Sequence, residues 1–389
     1  MKFLVAFLGA IFFLVGCEFN DDHSEEQITI EELPFEVSVT ASGLEGSMEL
    51  TLNGEDLLLI SDLAITNDDD LSFATRFKPG QLYTVDVSKQ PEFQHCDPRY
   101  SLGNESGVFE NEDITVHFYC QKYFRGLNAV SAVSAGSQHT CAIVNREVKC
   151  WGSNLEGQLD VPPNLNNPTV ISSGYKHSCA VTDTGIVCWG GDNIPTLKQP
   201  PQNLMNVKEL KSGANFSCAI DDVGLHCWGQ SNVINAEINL VAPHSLTVEH
   251  TGACVIDEGK VHCWGPVAEI IPHFEPTASS ITLGPYAKSC VTKLDEVTCR
   301  KGGPADYDSS DTELLSSSII EFGQFGACAL TGDGLQCWGS DLEGWEELEH
   351  IVKSPTAISI GDYHGCAIQE SELICAGRNT HGEIEIPNI

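Results

Sequence analysis

The stretch CAIVNREVKCWG, residues 141–152, determines the fold: two cysteines stand nine positions apart, and a tryptophan and a glycine follow the second. In an antiparallel hairpin with a two-residue turn at Asn145 and Arg146, Cys141 and Cys150 lie directly opposite each other. The Cα atoms of such opposed residues are about 4.5–5.5 Å apart, a distance that a disulfide spans. The spacing therefore predicts a hairpin closed by its own disulfide.

Cysteine pairs with this spacing occur seven times in the chain, and their first cysteines are 36–39 residues apart. A period of about 20–50 residues is typical of propellers and solenoids. Strand-like stretches surround each pair and Gly and Pro are frequent, which favours an all-β chain. Radial closure of seven blades, each expected to have four strands, protects the sheet edges, so we favour a seven-bladed β-propeller over an open solenoid. The predicted disulfides are Cys141–Cys150, Cys179–Cys188, Cys218–Cys227, Cys254–Cys263, Cys290–Cys299, Cys328–Cys337 and Cys366–Cys375.

The chain has 17 cysteines, a number typical of an exported protein in an oxidising compartment. Outside the seven pairs stand Cys17, Cys96 and Cys120. We predict an eighth disulfide, Cys96–Cys120, and no cysteine is then left over except Cys17. Zinc is the alternative for so many cysteines, but zinc sites bring closely spaced cysteine pairs together, and an eight-residue gap does not supply them. We therefore expect no metal and no cofactor.

The first seventeen residues, MKFLVAFLGAIFFLVGC, have one lysine, an apolar run and small residues before Cys17. The apolar run is too short to span a bilayer, so it predicts a cleaved export signal at residues 1–16. Its ending, Leu14-Val15-Gly16-Cys17, resembles the lipobox of bacterial lipoproteins, which implies lipidation of Cys17. Glu18 follows the cysteine, which by the rule for that family implies an outer-membrane lipoprotein, with periplasmic and surface orientations both open.

The first repeat contains a Gly-x-x-His element, a hairpin, and then Trp-Gly-x-Asn and Gly-Gln-Leu. The residues of these motifs are Gly136, His139, Trp151, Gly152, Asn154, Gly157, Gln158 and Leu159. The motifs resemble the repeat of the regulator of chromosome condensation family, whose fold is a seven-bladed propeller. The resemblance covers about residues 125–389, and we assign the propeller to residues 123–389. Repeat four departs from the pattern, with Glu249 and Gly252 in place of Gly and His, and repeat five has Arg300-Lys301 in place of Trp-Gly.

Several side chains of the repeat are expected to be structural. His139, His177 and His364 are predicted to be hydrogen-bonded inside the fold. The tryptophans after the second cysteine are predicted to pack between blades. The histidines of the fourth repeat are expected at the surface: His244, His250, His262 and His273.

Two segments precede the propeller. Residues 17–34 are acidic and have little capacity to form a core, so we interpret them as a tether. Residues 35–122 alternate apolar and polar positions, as in Val37 and Val39 or Ile114, Val116 and Phe118. This stretch resembles a small Ig-like β-sandwich of bacterial surface proteins.

The formal charge of −35 repels phosphate backbones, so we expect no nucleic-acid partner. The sequence has no nucleophile elbow, phosphate-binding loop or His-Glu-x-x-His pair. We therefore predict a monomeric, envelope-anchored, non-enzymatic protein that binds another protein through a propeller face. Trp345 stands where the repeat has glutamine, and we predict it as an exposed binding anchor.

Two alternatives stay open. The chain could inhibit a secreted or envelope enzyme, as the family resemblance implies for one bacterial relative. It could also act on envelope polysaccharide through two carboxylates at the propeller mouth, which such chemistry requires in different environments. Nucleotide exchange on a GTPase, the activity behind the family name, is not expected because the GTPase would lie in another compartment.

Overall fold

The computed structural model describes residues 35–42, 44–61, 71–77, 79–91, 94–97, 106–108, 113–230, 240–269, 277–285, 288–293, 296–300, 319–324, 326–332, 334–339 and 347–387. Within these ranges the chain is all-β, a β-sandwich followed by a seven-bladed propeller, as the sequence predicts. Cys17, His273 and Trp345 lie outside the described residues. Over the same ranges, no helix has the length and apolar character that crossing a membrane requires.

The β-sandwich consists of two sheets around one core. One sheet has the order β4-β1-β8 with β6 also paired to β8, and the other has the order β3-β2-β5-β7. Alternate residues of the strands point inward, so that Val37, Leu50 and Phe118 are fully buried. The strands are β1 (Phe35–Ser42), β2 (Ser47–Leu52), β3 (Asp56–Ser61), β4 (Leu71–Phe77), β5 (Leu82–Lys89), β6 (Gln94–Asp97), β7 (Ser106–Val108) and β8 (Ile114–Gly126).

The propeller has seven blades, each with an inner strand and a disulfide-closed hairpin. Blades 1 to 3 are β9 (Val130–Ala135), β10 (His139–Val144), β11 (Glu147–Gly152); β12 (Val170–Ser173), β13 (His177–Thr182), β14 (Gly185–Gly190); and β15 (Glu209–Ser212), β16 (Phe216–Ile220), β17 (Leu225–Gly229). Blades 4 and 5 are β18 (His244–Val248), β19 (Ala253–Asp257), β20 (Lys260–Trp264); and β21 (Ala278–Gly284), β22 (Lys288–Lys293), β23 (Glu296–Arg300). Blades 6 and 7 are β24 (Ile319–Phe322), β25 (Gly326–Thr331), β26 (Gly334–Gly339); and β27 (Ala357–Ile360), β28 (His364–Gln369), β29 (Glu372–Gly377). Short helices lie at Pro195–Lys198, Pro266–Glu269 and α1 (Leu348–Ile351).

The first hairpin has the predicted register. Cys141 is paired with Cys150, and their Cα atoms are 4.1 Å apart. Asn145 and Arg146 both have positive φ, 52° and 66°, as a two-residue type I′ turn requires. The structure contains eight disulfides, one in each blade and Cys96–Cys120 between β6 and β8. Each blade is therefore stabilised by a covalent link of its own.

Blades 1 to 6 have three described strands each, not the four that we expected. The chain after the hairpins of blades 1 and 2 instead runs through VPPNLNNP (161–168) and LKQPPQN (197–203). Proline has no N–H to donate to a strand ladder, so these segments cover the outer edge without joining the sheet. The expectation of a fourth strand was wrong for blades 1 and 2, where the whole segment after the hairpin is described.

Blade 7 does have a fourth strand, and β8 of the sandwich provides it. The first half of β8 pairs in parallel with β1, from Ile114 opposite Val37 to Tyr119 opposite Ser42. The second half, Tyr123–Gly126, pairs antiparallel with β29. One unbroken strand therefore belongs to both the sandwich and the propeller and closes the ring between the first and last blades.

The sandwich also contacts the propeller through side chains. His95 on β6 lies 2.6 Å from the nearly buried Glu347 carboxylate. The His95 ring stacks on that of His350 in α1, with ring centroids 5.4 Å apart. These contacts fix the sandwich beside the connection between blades 6 and 7.

Candidate functional site

A row of buried histidines connects four consecutive blades. His364 of blade 7 is hydrogen-bonded to Thr140 of blade 1 at 2.7 Å. His139 of blade 1 is bonded to Ser178 of blade 2 at 2.8 Å. His177 of blade 2 is bonded to Ser217 of blade 3 at 2.7 Å. Each hydroxyl directly precedes the first cysteine of its hairpin, so the Gly-x-x-His element of the repeat links neighbouring blades.

Burial keeps these imidazoles neutral. It lowers the pKa of His139 to about 3, with His364 and His177 adding to the effect. It lowers the pKa values of His177 and His364 to about 4. All three side chains are fully buried. They therefore serve the packing of the blades and are inaccessible to any substrate.

At one end of the central channel, glycines allow the loops of neighbouring blades to approach closely. We call this end the upper mouth and define it by Gly136, Gly174, Gly213 and Gly361. A Cβ on Gly361 would overlap the carbonyl oxygen of Gly136, and one on Gly174 would overlap that of Gly213. The next residue in these loops donates its backbone N–H to the adjacent blade, as Tyr175 does to the Gly213 oxygen at 3.1 Å. Only glycine permits this approach between neighbouring blades.

A charged cluster crosses the upper mouth. Glu249 occupies the position where the other repeats have glycine, and its carboxylate lies 2.5 Å from Nδ1 of His250. Nε2 of His250 lies 3.5 Å from Asp362, on blade 7 across the ring. The bonds to Asp362 and then to Glu249 raise the pKa of His250 to about 10, against the effect of burial. Tyr175 packs on the imidazole edge, with ring centroids 5.6 Å apart.

His250 is therefore not the scattered surface residue that the sequence predicted. The carboxylates that engage it come from its immediate neighbour and from a blade more than a hundred residues away, and no short ligand motif announces them. No group of three or more His, Cys, Asp and Glu side chains among the described residues is arranged to hold a metal ion. The cluster is thus an ion-pair network that spans the channel.

The inner strands and the loops of the upper mouth together line an open cavity of about 370 Å³. On the inner strands of blades 1, 4 and 7, the residues two positions before Gly136, Glu249 and Gly361 are Ser134, Thr247 and Ser359. These hydroxyls accept backbone N–H bonds from the following blade at 2.8–2.9 Å. At the equivalent positions of blades 3 and 6 stand Lys211 and Glu321, whose charged atoms meet across the channel at 3.5 Å.

The opposite end of the propeller, which carries the hairpin turns, is the lower face. Its exposed apolar residues are concentrated on blades 3 and 4, where Met205, Val223 and Val241 are 62%, 72% and 75% exposed. Met205 and Val223 are neighbours, because the Met205 oxygen accepts the N–H of the residue before Val223. Blade 2 has Asn166 in the position of Met205 and Val241. We call Met205, Val223 and Val241 the lower-face patch.

Buried aspartates hold the lower-face patch in place, and the sequence analysis missed them. Asp221 accepts the N–H of Met205 at 2.9 Å, and Asp257 accepts that of Val241 at 3.1 Å. Burial alone would raise the pKa of Asp221, but bonds from Met205, Val223 and Gly224 outweigh it and lower the pKa to about 2. The sequence feature that marks these aspartates is a polar residue three positions after the first cysteine of the hairpin. The same feature is present in blade 7, where the side chain of Gln369 accepts the N–H of Lys353.

The tryptophans lie where packing predicted them. Four are buried between blades: Trp151, Trp189, Trp228 and Trp264. The indole of Trp189 donates to the Gln158 oxygen of the preceding blade at 2.9 Å. Trp338 is partly buried against the core of blades 5 and 6. None of them faces the channel cavity.

Comparison with known families identifies one repeat. Residues 130–158, which form the first blade and its following loop, match the family model described as "Regulator of chromosome condensation (RCC1) repeat". The resemblance predicted from the sequence is thus confirmed for this segment. No curated protein sequence matches the chain.

The solved structures to which the chain is similar are distant in sequence. Human WBSCR16 is 15% identical, with a TM-score of 0.50 over 72% of this chain and 93% of that protein. The CRINKLY WD40 ectodomain of the Arabidopsis thaliana receptor kinase ACR4 is 19% identical, with a TM-score of 0.49 over 66% of this chain and 97% of that one. Yeast RCC1 (Prp20), solved with Kap60, is 13% identical, with a TM-score of 0.36 over 64% and 80%. At these identities the likeness to WBSCR16 concerns the fold alone.

Proposed function

We propose that this protein is an envelope-anchored scaffold that binds another protein through the lower face of its propeller and catalyses no reaction. The lower-face patch carries the proposal. Met205, Val223 and Val241 are strongly exposed and lie on adjacent blades, whereas blades 2 and 7 have the polar residues Asn166 and Lys353 at the position of Met205 and Val241. Grouped exposed apolar residues on a soluble protein are typical of interaction surfaces.

The anchor in this proposal is a lipid on Cys17, with attachment to the outer membrane. Eight disulfides are typical of a protein in an oxidising compartment, which supports export. The remaining cysteine, at the end of the signal, is then available for acylation. Incorporation of an alkyne fatty acid into the wild type, and its loss in Cys17→Ser, is the expected result.

The polysaccharide-enzyme alternative has less support. Glu249 and Asp362 are the carboxylates at the channel mouth, but both engage the same His250. General acid and base chemistry needs two carboxyls in different environments, each free to meet the substrate. Glu249 and Asp362 are paired with the same imidazole ring, so they do not have the different environments that this chemistry needs.

Crosslinking capture on intact cells tests the proposal, with the anchored chain as bait and mass spectrometry of the recovered proteins. We expect Met205→Asp with Val223→Asp to abolish recovery of the partner. Leu155→Asp is the matched control, because Leu155 is 82% exposed at the upper end of blade 1. Equal recovery with the lower-face variant and the wild type would refute binding through this surface.

A further inference from the structure

Lys211 and Glu321 stand at a position that other blades use for a bond between neighbouring blades. At their positions in blades 1, 4 and 7 a hydroxyl completes a bond to the next blade. Blades 3 and 6 give up that bond and place opposite charges in the channel instead. The two side chains are 46% and 26% exposed, so both remain accessible from the cavity.

The ion pair between them is weak. At 3.5 Å and with this exposure, solvent screens the attraction and the pair contributes little to stability. A lysine has three donors and a carboxylate about four acceptor sites, and this single contact leaves most of them unused. A ligand that offers each charge a direct partner can therefore replace the contact.

We propose that the central channel is a binding site for a small zwitterion of the free amino acid type, with its carboxylate on Lys211 and its ammonium group on Glu321. A ligand with only one charge would leave the other protein charge unpaired, and an unpaired charge is unfavourable in a partly desolvated channel. A zwitterion satisfies both. The cavity volume of about 370 Å³ lies within the usual range of ligand pockets.

The rest of the lining fits this ligand. The cavity is lined by loop residues of the upper mouth, among them Tyr175, His250 and Asp362, so the ligand enters from the upper end. The remaining charges of the cluster are already engaged with one another and leave Lys211 and Glu321 as the available pair. Glu209 lies on the same inner strand as Lys211, but its carboxylate accepts the backbone N–H groups of Ser245 and Leu246.

Calorimetry on the whole disulfide-bonded chain tests the site with the twenty free amino acids as probes. Acetate and methylammonium serve as ligands with a single charge. We expect at least one amino acid to bind at concentrations up to about 10 mM, the weak end of measurable affinity, and neither single-charge ion to bind at these concentrations. No binding by any amino acid, or equal binding by acetate or methylammonium, would overturn the proposal.

Variants of the pair complete the test. Lys211→Met and Glu321→Gln should each weaken binding about tenfold or more, because each removes one charged hydrogen bond. The double exchange Lys211→Glu with Glu321→Lys restores the pair in reverse and should restore binding. Lys208→Met is the matched control, since Lys208 is paired with Asp222 outside the channel. Unchanged affinity in Lys211→Met and Glu321→Gln would exclude the site, and the lower-face patch is tested independently of it.

Discussion

The histidine row makes the propeller sensitive to acid, and the size of the effect follows from the burial of its members. Unfolded, each histidine has an ordinary pKa near 6.5, whereas the folded values are about 3 for His139 and about 4 for His177 and His364. Because the folded state favours the neutral imidazole, the unfolded state takes up protons first as the pH falls. The stability is fully present above pH 6.5 and is lost as the pH falls from there to about 4.

The loss is large enough to measure. At pH 5 each histidine lowers the free energy of unfolding by about 2 kcal/mol relative to neutral pH, and the three together by about 6 kcal/mol. This is comparable to the whole stability of many domains, about 5–15 kcal/mol. Urea unfolding at pH 7 and pH 5, followed by tryptophan fluorescence, gives the difference directly.

The control is a variant that cannot titrate. Replacing His139, His177 and His364 by glutamine should lower stability at pH 7, because the bonds between blades are weakened, but should remove most of the loss between pH 7 and pH 5. His244→Gln changes an exposed histidine and should keep the wild-type pH dependence. If the triple variant lost as much stability as the wild type on acidification, the reasoning from burial would be refuted.

Three further predictions concern the ring and its closure. Because Asp362 and Glu249 raise the pKa of His250 to about 10, NMR should show a protonated imidazole at pH 8. Its stabilisation should be lost as the pH rises from 6.5 to about 10, and Asp362→Asn should lower the pKa; a neutral ring in the wild type at pH 8 would contradict this. Gly361→Ala should unfold at a temperature several degrees lower, since its Cβ meets backbone of blade 1, whereas Gly332→Ala meets nothing within 4 Å and should be neutral; equal melting temperatures would count against the tight upper mouth. Phe124→Pro removes a backbone donor from the pairing of β8 with β29 and should make blade 7 sensitive to limited proteolysis, unlike Phe124→Leu; similar cleavage rates would show that this pairing is dispensable.

Features that depend on local spacing were predictable from the sequence. The separation of nine positions between the cysteines and a turn at Asn145 and Arg146 determine the register of the first hairpin. The Gly-x-x-His element predicted structural histidines, because the same residue at the same place in several repeats is explained by a role in packing the blades. In both cases the interacting groups are near in sequence or related by the repeat.

Contacts between distant parts of the ring were not predictable in the same way. Lys211 and Glu321 are recognisable as exceptions once the inner strands are aligned, but their meeting depends on the closure that brings blade 3 opposite blade 6. The same holds for His250 and Asp362. The expectation of a fourth strand failed in blade 1 because it was taken from propellers in general, while the prolines of residues 161–168 prevent strand pairing there.

The shared strand β8 sets an order of events for folding. Its partner β29 (Glu372–Gly377) lies about 250 residues further along the chain and close to the C-terminal end of the described residues. During synthesis from the N-terminal end, the hydrogen-bonding groups in the second half of β8 stay without their partners on β29 until almost the whole chain has been made. Contacts of such large sequence separation form slowly and expose strand edges in the meantime. The ring therefore closes last, and the period before closure is the time at which the chain most needs the help of a chaperone.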